Sequence, residues 1–319
     1  MNKNKEEQIV AYAARHILSQ IHHVVVGKDE TLMWTLAAIL ARGHVLLEDI
    51  PGVGKTTMAL SFSKTLNLDY GRVQFTPDVL PSDVTGYSIL NQADGKMVYQ
   101  PGAVLCNLFL ADELNRATSR TQSALLEAME EGQVTVDGVS HPLPQPFVVI
   151  ATQNPTGAAG TQLLPDSQMD RFMVRLTMGY PDPAAEAAMV LNRQGANPLH
   201  ALRPVMEKEN LMALQQMVDS THVSQAVVEY AVALISATRN HPEILRGASP
   251  RATLAVVAMA KSIAQLHGRD YVIPADIRDV FAVTVAHRLI LTSQAESQGR
   301  TPAGILAEIV TRVAPPKLR

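Results

Sequence analysis

Cysteine is nearly absent from this chain: Cys106 is the only one in 319 residues. No internal disulfide can form, which excludes a disulfide-stapled scaffold and points to a reducing, cytoplasmic compartment. Cys106 lies in an apolar run, where it reads as a small buried side chain. No cysteines are paired and no histidines have metalloprotease spacing, so a protein-built zinc centre is not expected. An excess of positive charge is also missing. Lys plus Arg number 27 against 30 Asp plus Glu, for a net charge of -3 and a pI near 6.4. That balance argues against a broad nucleic-acid surface. No apolar run reaches the roughly 18 residues of a membrane-spanning helix. The opening Met1-Asn2-Lys3-Asn4-Lys5 leads into no signal-peptide core, so no targeting segment is expected. Internal repeats and low-complexity segments are lacking as well.

Apolar side chains, in contrast, are plentiful, at 47% of residues. A large core can form, and the length suits about two domains at roughly 150 residues each. The 13 methionines read as adaptable packing in a helix-rich protein. Ile9, Val10, Ala13, Ile17 and Ile21 share one face of a helix over residues 6–22. A second helix turns Leu32, Leu36, Ile39 and Leu40 inward and carries Trp34 as packing. Five apolar segments read as parallel strands: 44–48, 72–75, 107–111, 147–152 and 172–177. The separators are long enough for the crossovers that parallel pairing needs. Helices fit at 56–66 and 117–131.

The stretch His44-Val45-Leu46-Leu47-Glu48 followed by Asp49-Ile50-Pro51-Gly52-Val53-Gly54-Lys55-Thr56-Thr57 is a buried strand, a glycine-bearing loop and a helix start. That is the layout of a phosphate-binding loop. Glycines let backbone N–H groups curl toward a phosphate chain, and the helix aims its positive dipole end there. Lys55 is placed to reach the β- and γ-phosphates, and the Thr56 hydroxyl to coordinate Mg²⁺. Asp49 departs from the usual pattern, which has glycine at that position.

Leu108-Phe109-Leu110-Ala111 ends in Asp112-Glu113. Phosphate hydrolysis needs a second magnesium contact and a group to polarise water. Asp112 suits the first role, through water, and Glu113 the second. Val148-Val149-Ile150-Ala151-Thr152-Gln153 ends in Asn154, whose amide can bond a γ-phosphate or orient the water without adding a like charge. Developing negative charge also needs fixed cations. Arg171 in Asp170-Arg171-Phe172 and Arg251 in Ser249-Pro250-Arg251-Ala252 are the candidates, and one of them could come from a neighbouring subunit as an arginine finger.

Two segments interrupt the strand plan. Residues 86–101 and 132–146 each hold strand-like runs around an Asp-Gly pair, Asp94-Gly95 and Asp137-Gly138, a β-hairpin signal. They read either as surface loops or as protruding hairpins that touch a partner. Pro181 and Pro183 then form a stiff joint. Beyond it no strand pattern recurs, and helices are expected at 184–194, 208–218, 223–239, 251–267, 275–291 and 302–312. The boundaries are therefore 1–180 for an α/β core and 181–319 for a helical domain, hinged at 181–183.

Taken in order, these pieces resemble the AAA+ ATPases and, more narrowly, the MoxR family. The resemblance is carried by Val25-Val26-Gly27, Leu47-Glu48-Asp49-Ile50-Pro51-Gly52-Val53-Gly54-Lys55-Thr56 and Gln74-Phe75-Thr76-Pro77-Asp78. It continues through Ala111-Asp112-Glu113-Leu114-Asn115-Arg116-Ala117, Thr121-Gln122-Ser123-Ala124-Leu125-Leu126-Glu127-Ala128-Met129, Ala151-Thr152-Gln153-Asn154-Pro155, Leu164-Pro165-Asp166, Asp170-Arg171-Phe172 and Ser249-Pro250-Arg251-Ala252. Asp49 is at home in this family's Leu-Glu-Asp-x-Pro form. The resemblance implies an α/β P-loop core with parallel strand order 5-1-4-3-2, a C-terminal all-α lid, and ATP with Mg²⁺ as cofactors. It also implies a homo-oligomer, a hexameric ring with nucleotide sites between subunits. Lys55, Thr56, Asp112 and Glu113 then act within one subunit, while Arg171 looks like the finger across the interface. Arg251 looks like the lid's nucleotide sensor, and Arg175 is a weaker rival for the finger. Val26 and Gly27 match the adenine pocket, and the hairpins match insertions that face a pore or partner. Family members are thought to remodel protein clients, often with a von Willebrand factor A domain partner. Two readings stand beside this one: a nucleic-acid motor and a slow nucleotide-gated switch. Against the motor, the hairpins carry Lys96 and no other Lys or Arg, whereas phosphate contacts supply nucleic-acid affinity.

Overall fold

The computed structural model describes residues 8–50, 52–93, 95–154, 164–192 and 197–317. Pro51, Asp94 and Pro155 lie outside them. Helices α1 (Ile9–His22) and α2 (Asp29–Leu40) precede strand β1 (Val45–Glu48), and α3 (Lys55–Thr65) follows it. Strand β2 (Tyr70–Gln74) leads through α4 (Pro81–Thr85) into a hairpin of β3 (Gly86–Leu90) and β4 (Met97–Pro101). After β5 (Leu108–Asp112) and α5 (Ser119–Glu131) comes a second hairpin, β6 (Gln133–Val136) and β7 (Val139–Pro142). Strand β8 (Val148–Gln153), the short α6 (Asp166–Met169) and β9 (Val174–Leu176) complete the α/β part.

The sheet runs β2-β5-β8-β1-β9, all parallel. Numbering the five parallel strands along the chain, this is the expected order 5-1-4-3-2. Period-2 alternation decides which face each side chain meets. Val45, Leu47, Leu108, Leu110, Val148 and Ile150 join one apolar cluster with α1, α2, α3 and the C-terminal helices. Leu46, Phe109, Ala111, Val149 and Ala151 join another, with Leu125, Leu126 and Phe172. Strands β5 and β8 are buried at every residue, as expected where both faces are covered. The edge strand β2 keeps Arg72 and Gln74 exposed.

Both hairpins are present as expected, Gly86↔Pro101 to Leu90↔Met97 in one and Gln133↔Pro142 to Val136↔Val139 in the other. They touch: the Tyr99 and His141 rings stack with centroids 3.7 Å apart, while the Tyr99 hydroxyl donates to the Thr85 carbonyl at 2.5 Å.

Past the Pro181/Pro183 joint come α7 (Pro183–Asn192), α8 (Lys208–Asp219), α9 (Gln225–Arg239), β10 (Ile244–Arg246), α10 (Pro250–Leu266), α11 (Pro274–Val285), β11 (Ile290–Leu291), α12 (Ser293–Ser297) and α13 (Pro302–Arg312). This region corrects the sequence reading twice. A strand pattern does recur, since β10 and β11 pair antiparallel with Ile244 opposite Leu291. These strands are too short to display a period. The helix expected over 275–291 stops at Val285, because Arg288 turns inward. Its Nη1 donates to Asp170 at 2.6 Å and its Nη2 to the Phe172 carbonyl at 2.7 Å. Among the described residues no helix is long and apolar enough to cross a membrane. Cys106 is buried, and burial pushes its thiol up to about 12.

Two polar groups, Asp49 buried and His44 half-buried, fix the ends of β1. Asp49, 8% exposed, accepts the Met178 N–H at 2.6 Å and the Gly179 N–H at 2.5 Å through Oδ2, and the Ile50 N–H at 2.8 Å through Oδ1. The glycine usual at this position could not supply that acceptor, so Asp49 ties the loop after β1 to the chain leaving β9. At the other end, the His44 Nδ1 accepts the Val149 N–H at 3.0 Å, so its Nε2 carries the proton toward the Met129 carbonyl at 3.2 Å. Burial pushes the His44 imidazole down to about 4.

Replacing Asp49 with Ala orphans three backbone donors, the N–H groups of Ile50, Met178 and Gly179, and should lower stability by about 2 kcal/mol in denaturant titrations; an unchanged midpoint would show that the tie carries no weight. His44 gives a pH dependence. Its unfolded form protonates near 6.5 and its folded form only near 4, so the unfolded state binds the extra proton between those values. Stability should fall as pH drops from about 6.5 to 4, by on the order of 3 kcal/mol from this group. His44→Asn, which removes the titrating ring, should flatten that slope in melts across the same range.

Candidate functional site

The loop between β1 and α3 is shaped by Gly52 and Gly54, whose φ values of +87° and +98° are left-handed. Gly54 caps α3 without a side-chain hydrogen bond, so the N–H groups of the first turn point outward with the positive end of the helix dipole. The Lys55 ammonium lies against the same loop, 8% exposed, donating to the Asp49 carbonyl at 2.6 Å and the Ile50 carbonyl at 3.1 Å. Desolvation pulls the Lys55 pKa down, and the charges of Asp49, Asp112 and Glu113 oppose that shift. Val53, Thr56 and Thr57 are half-buried beside it.

Strand β5 brings Asp112 to this end of the sheet. Its Oδ1 accepts from the Thr152 hydroxyl and its Oδ2 from the Arg72 Nη2, each at 2.8 Å. The next residue, Glu113, adopts φ +56°, and its N–H donates to the Thr152 Oγ1 at 2.8 Å. Its carboxylate takes the Arg116 Nη1 at 2.8 Å on Oε2 and the Asn154 Nδ2 at 3.3 Å on Oε1. Asn115 bonds the Asn154 backbone through both its amide atoms, at 3.1 and 3.3 Å. The structure thus gathers Lys55, Asp112, Glu113 and Asn154 at the carboxyl ends of β1, β5 and β8. Gly27, at φ +71°, lies so close to α7 that an added Cβ would meet the Ala185 Cβ at 2.8 Å. Its neighbour Lys28 donates to the Tyr180 carbonyl at 2.8 Å, so the Val26–Gly27 segment borders the Pro181/Pro183 joint.

The two arginines gather elsewhere. Arg171 donates through Nε to the Glu130 Oε2 at 2.8 Å, and Arg251 donates through Nη2 to the Glu130 Oε1. Arg171 pulls the Glu130 carboxyl below its usual range, with Arg251 adding to the effect. They line a cavity of about 320 Å³ together with Gly43, His44 and Arg288. His44 and Asp49 flank β1, so this cavity and the glycine loop are separated by about 16 Å of extended chain. Arg251 is therefore not beside Lys55. Arg175, in contrast, bonds Glu48 at the loop end of β1 at 3.1 Å.

Several contributors escaped the sequence reading. Thr152 stands level with Asp112 in the β5–β8 register, a placement that the expected strand order already contained. Arg116 follows Glu113 at helical i,i+3 spacing. Glu130 sits in an acidic run with Glu127 and Glu131, and nothing local marks it. Among the described residues no group of three or more His, Cys, Asp or Glu is placed to hold a metal ion. One hydroxyl and one carboxylate pair suit a magnesium ion that takes most of its ligands from phosphate and water.

The comparisons agree with this geometry. The model of the ATPase family associated with various cellular activities (AAA) matches residues 44–174, and that of the AAA lid domain matches 236–309. The chain is 45% identical over 302 residues to the uncharacterized protein YeaC of Bacillus subtilis, covering 95% of this chain and 94% of that one. It is 38% identical to the chaperone MoxR1 of Mycobacterium tuberculosis, over 94% and 81% of the two chains. A crystal structure of a candidate ATPase from Cytophaga hutchinsonii superposes with a TM-score of 0.90 at 35% identity, covering 98% of each chain. A glycine loop closed on a lysine, an Asp-Glu pair at the end of the neighbouring-but-one strand and relatives of this length together place the chain in the MoxR family of AAA+ ATPases.

Proposed function

We propose that this protein couples ATP hydrolysis to chaperone-like remodelling of a protein client, in a ring whose nucleotide sites are shared between copies. The observation that carries the reading is the division of the charged groups. Lys55, Asp112, Glu113 and Asn154 converge at one end of the sheet, whereas Arg171 and Arg251 converge at the other end of β1. One copy's arginines cannot serve its own loop, but they can serve a neighbour's.

In this reading, the backbone of Pro51, Gly52, Val53 and Gly54 cradles the phosphates, and Lys55 meets the β- and γ-phosphates. Thr57 supports that first helical turn, and Val26 and Gly27 border the adenine. Thr56 and Asp112 would hold magnesium, Asp112 through water, and the ion would offset phosphate charge. Glu113 accepts a hydrogen bond from the attacking water and polarises it, while Asn154 orients Glu113 and the water. Arg171 and Arg251 meet the charge that develops on the transferred phosphoryl group. The core spans 1–180 and the lid 181–319, hinged at 181–183. Tyr87, Ile89, Leu90 and Met97 on the first hairpin and Val139 on the second are exposed, which suits contact with a protein. A von Willebrand factor A domain partner, a hexameric ring and a cytoplasmic location complete the proposal.

Lys55→Ala and Glu113→Gln should each lower ATP turnover by about 10²–10⁴-fold; wild-type rates in both would sink the assignment. Inactive Glu113→Gln and Arg171→Ala proteins, when mixed, should recover activity, because mixed interfaces pair intact halves. Absence of recovery would argue against a shared site.

A further inference from the structure

Glu130 has no part in the mechanism above, yet it touches both of the arginines that do. It lies in the last turn of α5 and divides its carboxylate evenly, Oε2 to the Arg171 Nε at 2.8 Å and Oε1 to the Arg251 Nη2. The other cations of this cavity have carboxylates of their own. Arg42 bonds Asp219 at 2.8 Å, and Arg288 bonds Asp170 at 2.6 Å. Arg171 comes from the core just before β9 and Arg251 from the first turn of α10, so their side chains meet only at Glu130. Bringing two guanidinium groups to one place is opposed by their repulsion, and a carboxylate between them offsets it. Using Nε also matters, because it leaves the terminal Nη edge of Arg171 for a second acceptor, and that edge suits phosphate.

Resting on the shared-site reading, we propose that Glu130 is a positioning residue. It braces Arg171 and Arg251 side by side so that both meet the phosphates of the nucleotide held by a second copy of this chain. The three side chains are 28–42% exposed, and ion pairs of that exposure add little to stability. A loss of turnover on removing the charge would therefore reflect aim rather than unfolding.

The test uses the full-length protein and a matrix of mixtures. Glu130→Gln should lower kcat about 10- to 100-fold, with the thermal midpoint and the affinity for a fluorescent ATP analogue unchanged. Mixed with Glu113→Gln it should regain activity, and mixed with Arg171→Ala it should not, because both lesions then lie on the same face. Glu130→Asp, which keeps the charge on a shorter arm, should retain intermediate turnover and the same pattern of recovery. Should Glu130→Gln fold poorly, the Asp variant carries the matrix. Wild-type kcat in Glu130→Gln, or recovery with Arg171→Ala, would overturn the inference. If Glu113→Gln with Arg171→Ala recovers while Glu113→Gln with Glu130→Gln does not, the role of Glu130 alone falls. If neither mixture recovers, the shared site falls, and the role of Glu130 with it.

Discussion

A buried ammonium is the constraint around which this molecule is built. Lys55 is 8% exposed and would not stay charged there alone. The Asp49 and Ile50 carbonyls accept its protons, and three carboxylates, on Asp49, Asp112 and Glu113, offset its desolvation. Those carboxylates need partners in turn. Asp49 takes backbone N–H groups at the exit of β9, Asp112 takes Thr152 and Arg72, and Glu113 takes Arg116 and Asn154. The ends of β1, β5 and β8, edge strand β2 and the chain leaving β9 are thereby tied to one side chain.

The arginine cavity obeys a different logic. Asp170 joins it to the lid twice, accepting from Arg288 at 2.6 Å and from the Ser249 hydroxyl at 2.9 Å. Ser249 starts the helix that carries Arg251, and Arg288 lies three residues past the end of α11, which packs against β9. The Arg171 segment is thus held to the lid from two directions.

The sequence carried much of this in its motifs. Apolar runs and crossover length identified the five strands, the Asp-Gly pairs signalled hairpins where surface loops were the other reading, and the Asp112–Glu113 pair lies at the end of β5, where the apolar run placed it. The meaning of Asp49 was not legible, because its partners, Met178 and Gly179, are remote in the chain. Arg251 stood out in its Ser-Pro-Arg-Ala motif, but its location beside Glu130 depends on how the lid packs. Strands β10 and β11 were hidden because strands of three and two residues have no period to detect. Glu130 resembled any solvated glutamate in an acidic helix turn until the fold brought two arginines to it.

The stacked rings of Tyr99 and His141 lie at 3.7 Å with an interplanar angle of 10°. The two hairpins leave the core at separate places, yet this contact makes them a single projecting body. Trimming either one would strand an aromatic face of the other in water. The two insertions are therefore coupled by a contact worth about 1 kcal/mol, and an engineer who grafts one onto a related chain keeps that contact only by carrying the other with it.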